Sequence, residues 1–308
     1  MAISINELFE KGISYPDFEY QDRFNDLVGL DDQKIRLTKI LSLLTNPDGL
    51  SNWGKKYHPT AKKIISRILR RPPLIVLAGD VGSGKTELAT TIGDAVARQE
   101  NISITLLPLS LSSRGQGRVG EMTQLISAAF DHAIDEAQKL KSSTGSARGA
   151  IILMVDEADA LAQSRENAQM HHEDKAGVNA FIRGVDRMGN AKLPAAVIMC
   201  TNRLGSLDPA INRRAAEILT FERPNDEQRL KVLHLPLSEL GFTSQQIDSF
   251  VKETGSKKGR EFGFTFSDLT QRLLPSIVLG AYPDKAVSFS DAIKLAKELI
   301  PTSPFKER

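Results

Sequence analysis

Residues 79–86 read GDVGSGKT and directly follow the apolar run Leu74-Ile75-Val76-Leu77. Gly79, Gly82 and Gly84 let backbone N–H groups wrap an anion with no Cβ in the way. Lys85 adds a point charge for the outer phosphates of a nucleotide, and Thr86 a hydroxyl for Mg²⁺. The helix that opens at Thr86 aims its positive dipole end at the same anion. Further on, residues 151–159 read IILMVDEAD, five apolar residues and then acids. A buried strand ending in Asp156 can hold the water shell of the metal. Glu157, one residue on, can polarise the water that attacks a γ-phosphate. The string VIMCTN ends in Asn202, whose side chain can reach that water from another side, although a turn asparagine has the same appearance. An Asp-Glu pair favours a hydrolase over a kinase, because a kinase needs no carboxylate to activate water. The string LDPAINRRAAEI places Arg213 and Arg214 on a short helix after Asp208-Pro209. Such pairs are commonly solvated, but a triphosphatase without an arginine of its own often receives one from a neighbour.

These residues need elements to position them. Apolar runs at 74–77, 102–107, 151–155, 195–200 and 218–221 read as strands. Between the second and third, Met122, Leu125, Ile126, Ala129, Ala133, Ile134, Ala137 and Leu140 keep one stripe of a long helix. Val178, Ile182 and Val185 mark another. Strands alternating with helices imply a parallel sheet covered on both faces. Upstream, residues 1–24 are polar and read as an arm, and a helical stretch follows until Asn46-Pro47-Asp48-Gly49 breaks it. After Pro224 no strand-like run occurs; Asn225 to Gln228 resembles a capping box, and helical patterns continue at 244–253, 267–279 and 291–300. The expected fold is therefore α/β, a phosphate-loop parallel sheet flanked by helices over 25–223, followed by a small all-helical domain over 224–308.

Composition sets outer bounds. The chain has 308 residues, 41% hydrophobic and 25% charged, which is ordinary for a globular protein. A net charge of +2 does not by itself point to nucleic acid or membrane. The single cysteine, Cys200, excludes an internal disulfide framework and fits a reducing compartment. The first residues carry acids and no long apolar core, and no run approaches the ~20 residues that span a bilayer, so a cytoplasmic protein is expected. The run from Lys62 to Arg71 has no interleaved aromatic residue and reads as a solvated helix face rather than a nucleic-acid surface. His171-His172-Glu173-Asp174 lacks further His or Cys at ligand spacing, so it reads as a solvated loop rather than a metal site.

In the order DLVGLDDQK (26–34), GDVGSGKT, VDEAD, CTN and LDPAINRRA, the sequence resembles the AAA+ ATPases from about Phe24 onward. The resemblance implies that Val28 and Gly29 lie against adenine. Gly79, Asp80, Val81, Gly82, Ser83, Gly84, Lys85, Thr86 and Glu87 would form the ATP cradle. Thr86 and Asp156 would serve the Mg²⁺, Glu157 would be the general base, and Asn202 would sense the γ-phosphate. Arg213 and Arg214 would reach the next subunit's site in a ring, typically hexameric. Within that family, AGVNAFIRGVDRM (176–188) and NRRAAEI look most like the HORMA-domain remodellers of the pachytene-checkpoint type. Bacterial members of that group accompany cyclic-oligonucleotide antiphage systems.

Three departures stand out. Where the family carries an aromatic residue in its first pore loop, SSRGQGRVGE (112–121) offers Arg118 and Val119 for the protein substrate. Where many members carry a lid arginine, this chain has Ser267, with Arg272 a turn further on. The segment before residue 25 is too short for the substrate-recruiting domain of eukaryotic relatives, so recruitment falls to the arm, the ring surface or an adaptor. The reading is an ATP-driven ring that remodels a protein partner. Two other readings stay open on sequence alone: a DNA-handling loader or initiator of the same superfamily, and a scaffold that binds ATP but scarcely turns it over.

Overall fold

The computed structural model describes residues 8–110, 121–141, 147–162, 172–202 and 207–305. Among them, one sheet contains β1 (Ile13–Tyr15), β2 (Leu74–Gly79), β3 (Ser103–Ser110), β4 (Gly149–Asp156), β5 (Ala195–Thr201) and β6 (Ala215–Phe221). Their spatial order is β1-β3-β4-β5-β2-β6. The β3–β4, β4–β5 and β5–β2 pairs are parallel, whereas β1 runs antiparallel to β3. In chain order the helices of the first part are α1 (Phe18–Asp26), α2 (Asp31–Thr45), α3 (Pro47–Tyr57), α4 (Lys62–Ile68), α5 (Lys85–Glu100), α6 (Glu121–Leu140), α7 (Asp159–Ala162), α8 (His172–Ala191) and α9 (Pro209–Arg214). After β6 come α10 (Asp226–Glu239), α11 (Ser244–Thr254), a π-helical turn (Asp268–Leu273), α12 (Leu274–Leu279) and α13 (Phe289–Glu298).

Strand side chains alternate between the two faces. Leu74 and Val76 of β2 join Ile151, Leu153 and Val155 of β4 in a core with α6 and α8. Their neighbours Ile75, Leu77, Ile152 and Met154 are also buried, so apolar residues fill both faces of β2 and β4. That is the signature of a parallel sheet sandwiched between helices. Each such side chain contributes about 1.5–3 kcal/mol when buried. The α6–α8 contact is close: Phe130 meets Phe181 edge-on at 5.7 Å, and a Cβ on Gly184 would lie 2.3 Å from the Phe130 ring.

Polarity alone suggests an arm over residues 1–24, but Leu8 to Tyr15 join the sheet and its core, and α1 follows from Phe18. Leu8 and Phe9 enter the core, β1 adds an edge strand, and the Tyr15 ring rides on Gly93 of α5. The Asn46-Pro47 break is followed by a helix, because proline fits the first turn, where its missing N–H has no partner to lose.

Two compact units are present. One comprises Met1–Asp26, Asp32–Ala78 and Thr86–Thr220; the other comprises Leu27–Asp31, Gly79–Lys85 and Phe221–Arg308. The helical unit thus includes the phosphate-loop residues as well as the helices after Pro224. Its first helix opens with a reciprocal cap: Gln228 N–H donates to Asn225 Oδ1 at 2.9 Å and Asn225 N–H to Gln228 Oε1 at 3.0 Å. Phe250 stacks on Phe242 at 5.7 Å and meets Phe289 edge-on at 5.9 Å in the small core of this unit. Among the described residues, no helix is long and apolar enough to cross a membrane.

Candidate functional site

The loop Gly79 to Lys85 is shaped by backbone constraints that exclude side chains. A Cβ on Gly79 would lie 2.0 Å from the Phe221 carbonyl oxygen. Gly82 has φ 68, and a Cβ there would lie 2.8 Å from Thr265 Oγ1. Such positions accept glycine because it alone has no Cβ to collide or strain. The loop is pinned by Ser267 N–H, which donates to Gly82 O at 3.0 Å. Lys85 is 7% exposed, and its ammonium donates to Gly79 O at 3.0 Å and Asp80 O at 2.7 Å. Ser83 Oγ closes the turn onto Asp80 O at 2.7 Å, and Val81 N–H donates to Asp80 Oδ1 at 2.8 Å. In the same unit, Val28 is partly exposed and the adjacent Gly29 carbonyl accepts from Gln228 Nε2 at 2.7 Å.

Thr86 and Glu87 follow directly on α5. Thr86 Oγ1 donates to Asp156 Oδ1 at 3.3 Å, which brings together the two residues expected to serve a metal. The Glu87 carboxylate is forked by Arg23 of α1 at 2.8 and 2.9 Å.

Strand register brings the acids and Asn202 to one edge. Ala78 of β2 pairs with Thr201 of β5, and Val155 of β4 with Met199. The chain then turns sharply: Glu157 has φ 51, with its N–H donating to Asp156 Oδ1 at 2.9 Å. A bulky residue in the left-handed region costs on the order of 1–2 kcal/mol, and such strain concentrates at functional sites. The Asp159 carboxylate then accepts from Thr201 Oγ1 at 2.8 Å, Asn202 N–H at 2.6 Å and Asn202 Nδ2 at 3.0 Å. Asp159 therefore fixes the orientation of Asn202, a role the sequence reading did not assign. Its only signal was its place at the end of the VDEAD string.

Asp208 caps α9 by accepting from Ala210 N–H at 2.7 Å, with Pro209 in the first turn. The two arginines at the other end differ. Arg214 forks the Asp186 carboxylate at 2.6 and 2.8 Å and reaches Ala210 O at 3.3 Å. Arg213 is exposed and makes no ion pair among the described residues. At the lid position, Ser267 Oγ donates to Gln271 Oε1 at 3.1 Å. Arg272 is engaged within the same unit, donating to Asp268 Oδ1 at 2.6 Å and Ile300 O at 3.1 Å. Asp268 is fully buried. Burial opposes its ionisation, but hydrogen bonds from Thr265, Thr302 and Arg272 outweigh that and hold its carboxyl below the usual range. Arg118, Val119 and His171 lie outside the described residues.

A parallel sheet with a glycine loop at one strand end, an acid pair at another and a polar residue at a third defines a nucleoside-triphosphatase of the phosphate-loop class. The family model described as "ATPase family associated with various cellular activities (AAA)" matches residues 75–223, and the chain belongs to this AAA family of ATPases. It is 65% identical to CD-NTase-associated protein 6 of Escherichia coli (strain MS 115-1), over 99% of this chain and 98% of the relative. A chain in the solved HORMA:CdnC:Trip13 complex of E. coli MS115-1 is 64% identical, with a TM-score of 0.91 over 98% of this chain and 99% of that one. The solved Rhizobiales Trip13 is 56% identical, with a TM-score of 0.75 over 96% of this chain and 100% of that one.

Proposed function

We propose that this chain hydrolyses ATP as a subunit of a ring, typically hexameric, and uses the cycle to remodel a HORMA-domain protein in antiphage defence. The observation that carries hydrolysis is the end of β4, where Asp156 meets Thr86 and Glu157 follows at φ 51. Backbone N–H groups of residues 79–87 cradle the phosphates, and Lys85 supplies their counter-charge. Val28 and Gly29 face the adenine. The positive φ of Gly82 and Gly84, 68 and 91, fits the backbone turn that such a cradle needs.

Thr86 and Asp156 offer hard oxygen donors 3.3 Å apart, which suits Mg²⁺, an ion that keeps several waters and takes phosphate oxygens. When bound, Mg²⁺ supplies charge neutralisation at the phosphates. Glu157 accepts the proton of the attacking water, and Asn202, held by Asp159, orients that water. Charge developing on the phosphoryl oxygens is met by Arg213 of the adjacent subunit. Arg214, forked by Asp186, holds α9 in place, so of the two candidate fingers Arg213 is the one available to reach outward.

The partner class is supported by the 64% identical chain solved with HORMA and CdnC, and by the full-length match to a CD-NTase-associated protein. The test mixes the purified protein with a HORMA-domain protein bound to its partner chain and follows complex size by chromatography. ATP should release the partner, and Glu157→Gln should not. Release at the same rate without ATP, or persistence of the complex while ATP is consumed, would remove remodelling from the account.

A further inference from the structure

Arg223, two residues past β6, is heavily engaged beside the phosphate loop. Its side chain is only 14% exposed. Nε donates to Asp80 Oδ2 at 2.6 Å, Nη1 to Gly263 O at 2.7 Å and Nη2 to Thr302 O at 2.7 Å. The guanidinium also lies over the Phe262 ring at 4.7 Å. Asp80 is the second residue of the phosphate loop, and its other carboxylate oxygen accepts from Val81 N–H at 2.8 Å and Phe305 N–H at 3.4 Å. One carboxylate thus receives the loop's own backbone, a guanidinium and the segment near residue 305. The Asp80 carbonyl meanwhile holds the Lys85 ammonium at 2.7 Å.

The far side of this arrangement is equally fixed. Thr302 donates its N–H to Asp268 Oδ2 at 2.9 Å and its hydroxyl to Asp268 Oδ1 at 2.7 Å. Arg272 holds Asp268 and the Ile300 carbonyl. All of these residues lie in one compact unit. The lid therefore grips the phosphate loop at two points: Ser267 N–H on Gly82 O, and Arg223 on Asp80. A planar fork with three acceptors and an aromatic face beneath it is a fixed geometry, which lysine could not reproduce.

We propose that Arg223 is a positioning residue for the phosphate loop. Acting through Asp80, it couples residues 263 and 302 of the lid to nucleotide binding in a chain that has Ser267 where an arginine was expected. The inference rests on the reading of residues 79–86 as the phosphate site. A charge-assisted fork of this kind orders the loop before nucleotide arrives, so its loss weakens binding more than chemistry.

The test is a double-mutant cycle on the full chain, read by fluorescent ATP-analogue binding and by steady-state ATPase assay. Arg223→Ala should raise Kd and KM about tenfold while kcat stays within about twofold. Asp80→Asn should raise KM in the same direction, and the double variant should be no worse than Arg223→Ala alone, because both remove one interaction. Arg223→Lys should behave like the alanine variant. If Arg223→Ala does not fold, Arg223→Lys and Asp80→Asn carry the same comparison. Unchanged KM in folded variants, full rescue by lysine, or additive losses would overturn the proposal. Lys85→Ala separates the two levels: if it binds nucleotide normally, the phosphate-site reading fails, and if it abolishes binding while Arg223 variants bind normally, only the present inference fails.

Discussion

Glu157 sits in the left-handed backbone region directly after Asp156, a conformation that a β-strand ending would not adopt without compensation. Asp156 Oδ1 supplies part of it by accepting the Glu157 N–H. The effect is to separate the two carboxylates' tasks: one is turned to Thr86, the other is left exposed. Replacing Glu157 with Gln keeps the shape and removes the proposed base, so phosphate release should fall about 10²–10⁴-fold while nucleotide binding persists. A phosphate-sensor assay alongside analogue binding measures both, and turnover at the native rate would remove Glu157 from its role. The strand that ends in Asp156 was legible in the sequence because five apolar residues run directly into the two acids. The sequence did not show Asp159, whose partners Thr201 and Asn202 lie 42 and 43 residues away. Spacing along a chain says nothing about which turn reaches which strand end. The same holds for Arg213 and Arg214, which are indistinguishable as letters and are separated by the forked pair that Arg214 makes with Asp186.

Among the elements, strands whose apolar runs are buried on both faces were the most legible, because no surface residue interrupts the pattern. The long stripe of α6 was legible for the same reason. β1 was not: three residues at a sheet edge carry too little periodicity, and their pairing with β3 is set by the burial of Tyr15 against Gly93. The helix after Asn46 was hidden by a proline that also serves as a helix starter. Helix packing yields a prediction that runs against propensity. Alanine favours a helix over glycine by about 1 kcal/mol. At Gly184, however, its Cβ would meet the Phe130 ring at 2.3 Å, and overpacking of this kind costs about 1–3 kcal/mol. Gly184→Ala should therefore lower the melting temperature, and Gly184→Ala with Phe130→Leu should recover part of the loss. A melting temperature raised by the single substitution would show that α6 and α8 are farther apart than described.

On the scale of the whole molecule, the candidate residues fall in both units. The helical unit carries the glycine loop and its clamps, while the other carries Thr86, the acids, Asn202 and α9. Each set is ordered by contacts internal to its own unit: Arg223 and Ser267 in one, Asp159 and Asp186 in the other. Arg213 is the exception, an exposed charge at the end of a capped helix with no ion pair among the described residues. As a finger for the phosphoryl group of a neighbour, it would act only where subunits meet. Two variants test this directly, one with Arg213→Ala and one with Lys85→Ala, each expected to lose about 10³-fold or more of its ATPase activity. After mixing, with subunit exchange confirmed by labelled protomers, activity should return in proportion to interfaces that pair an intact loop with an intact Arg213. Exchange without any recovered hydrolysis, or full activity of Arg213→Ala alone, would contradict that role of Arg213.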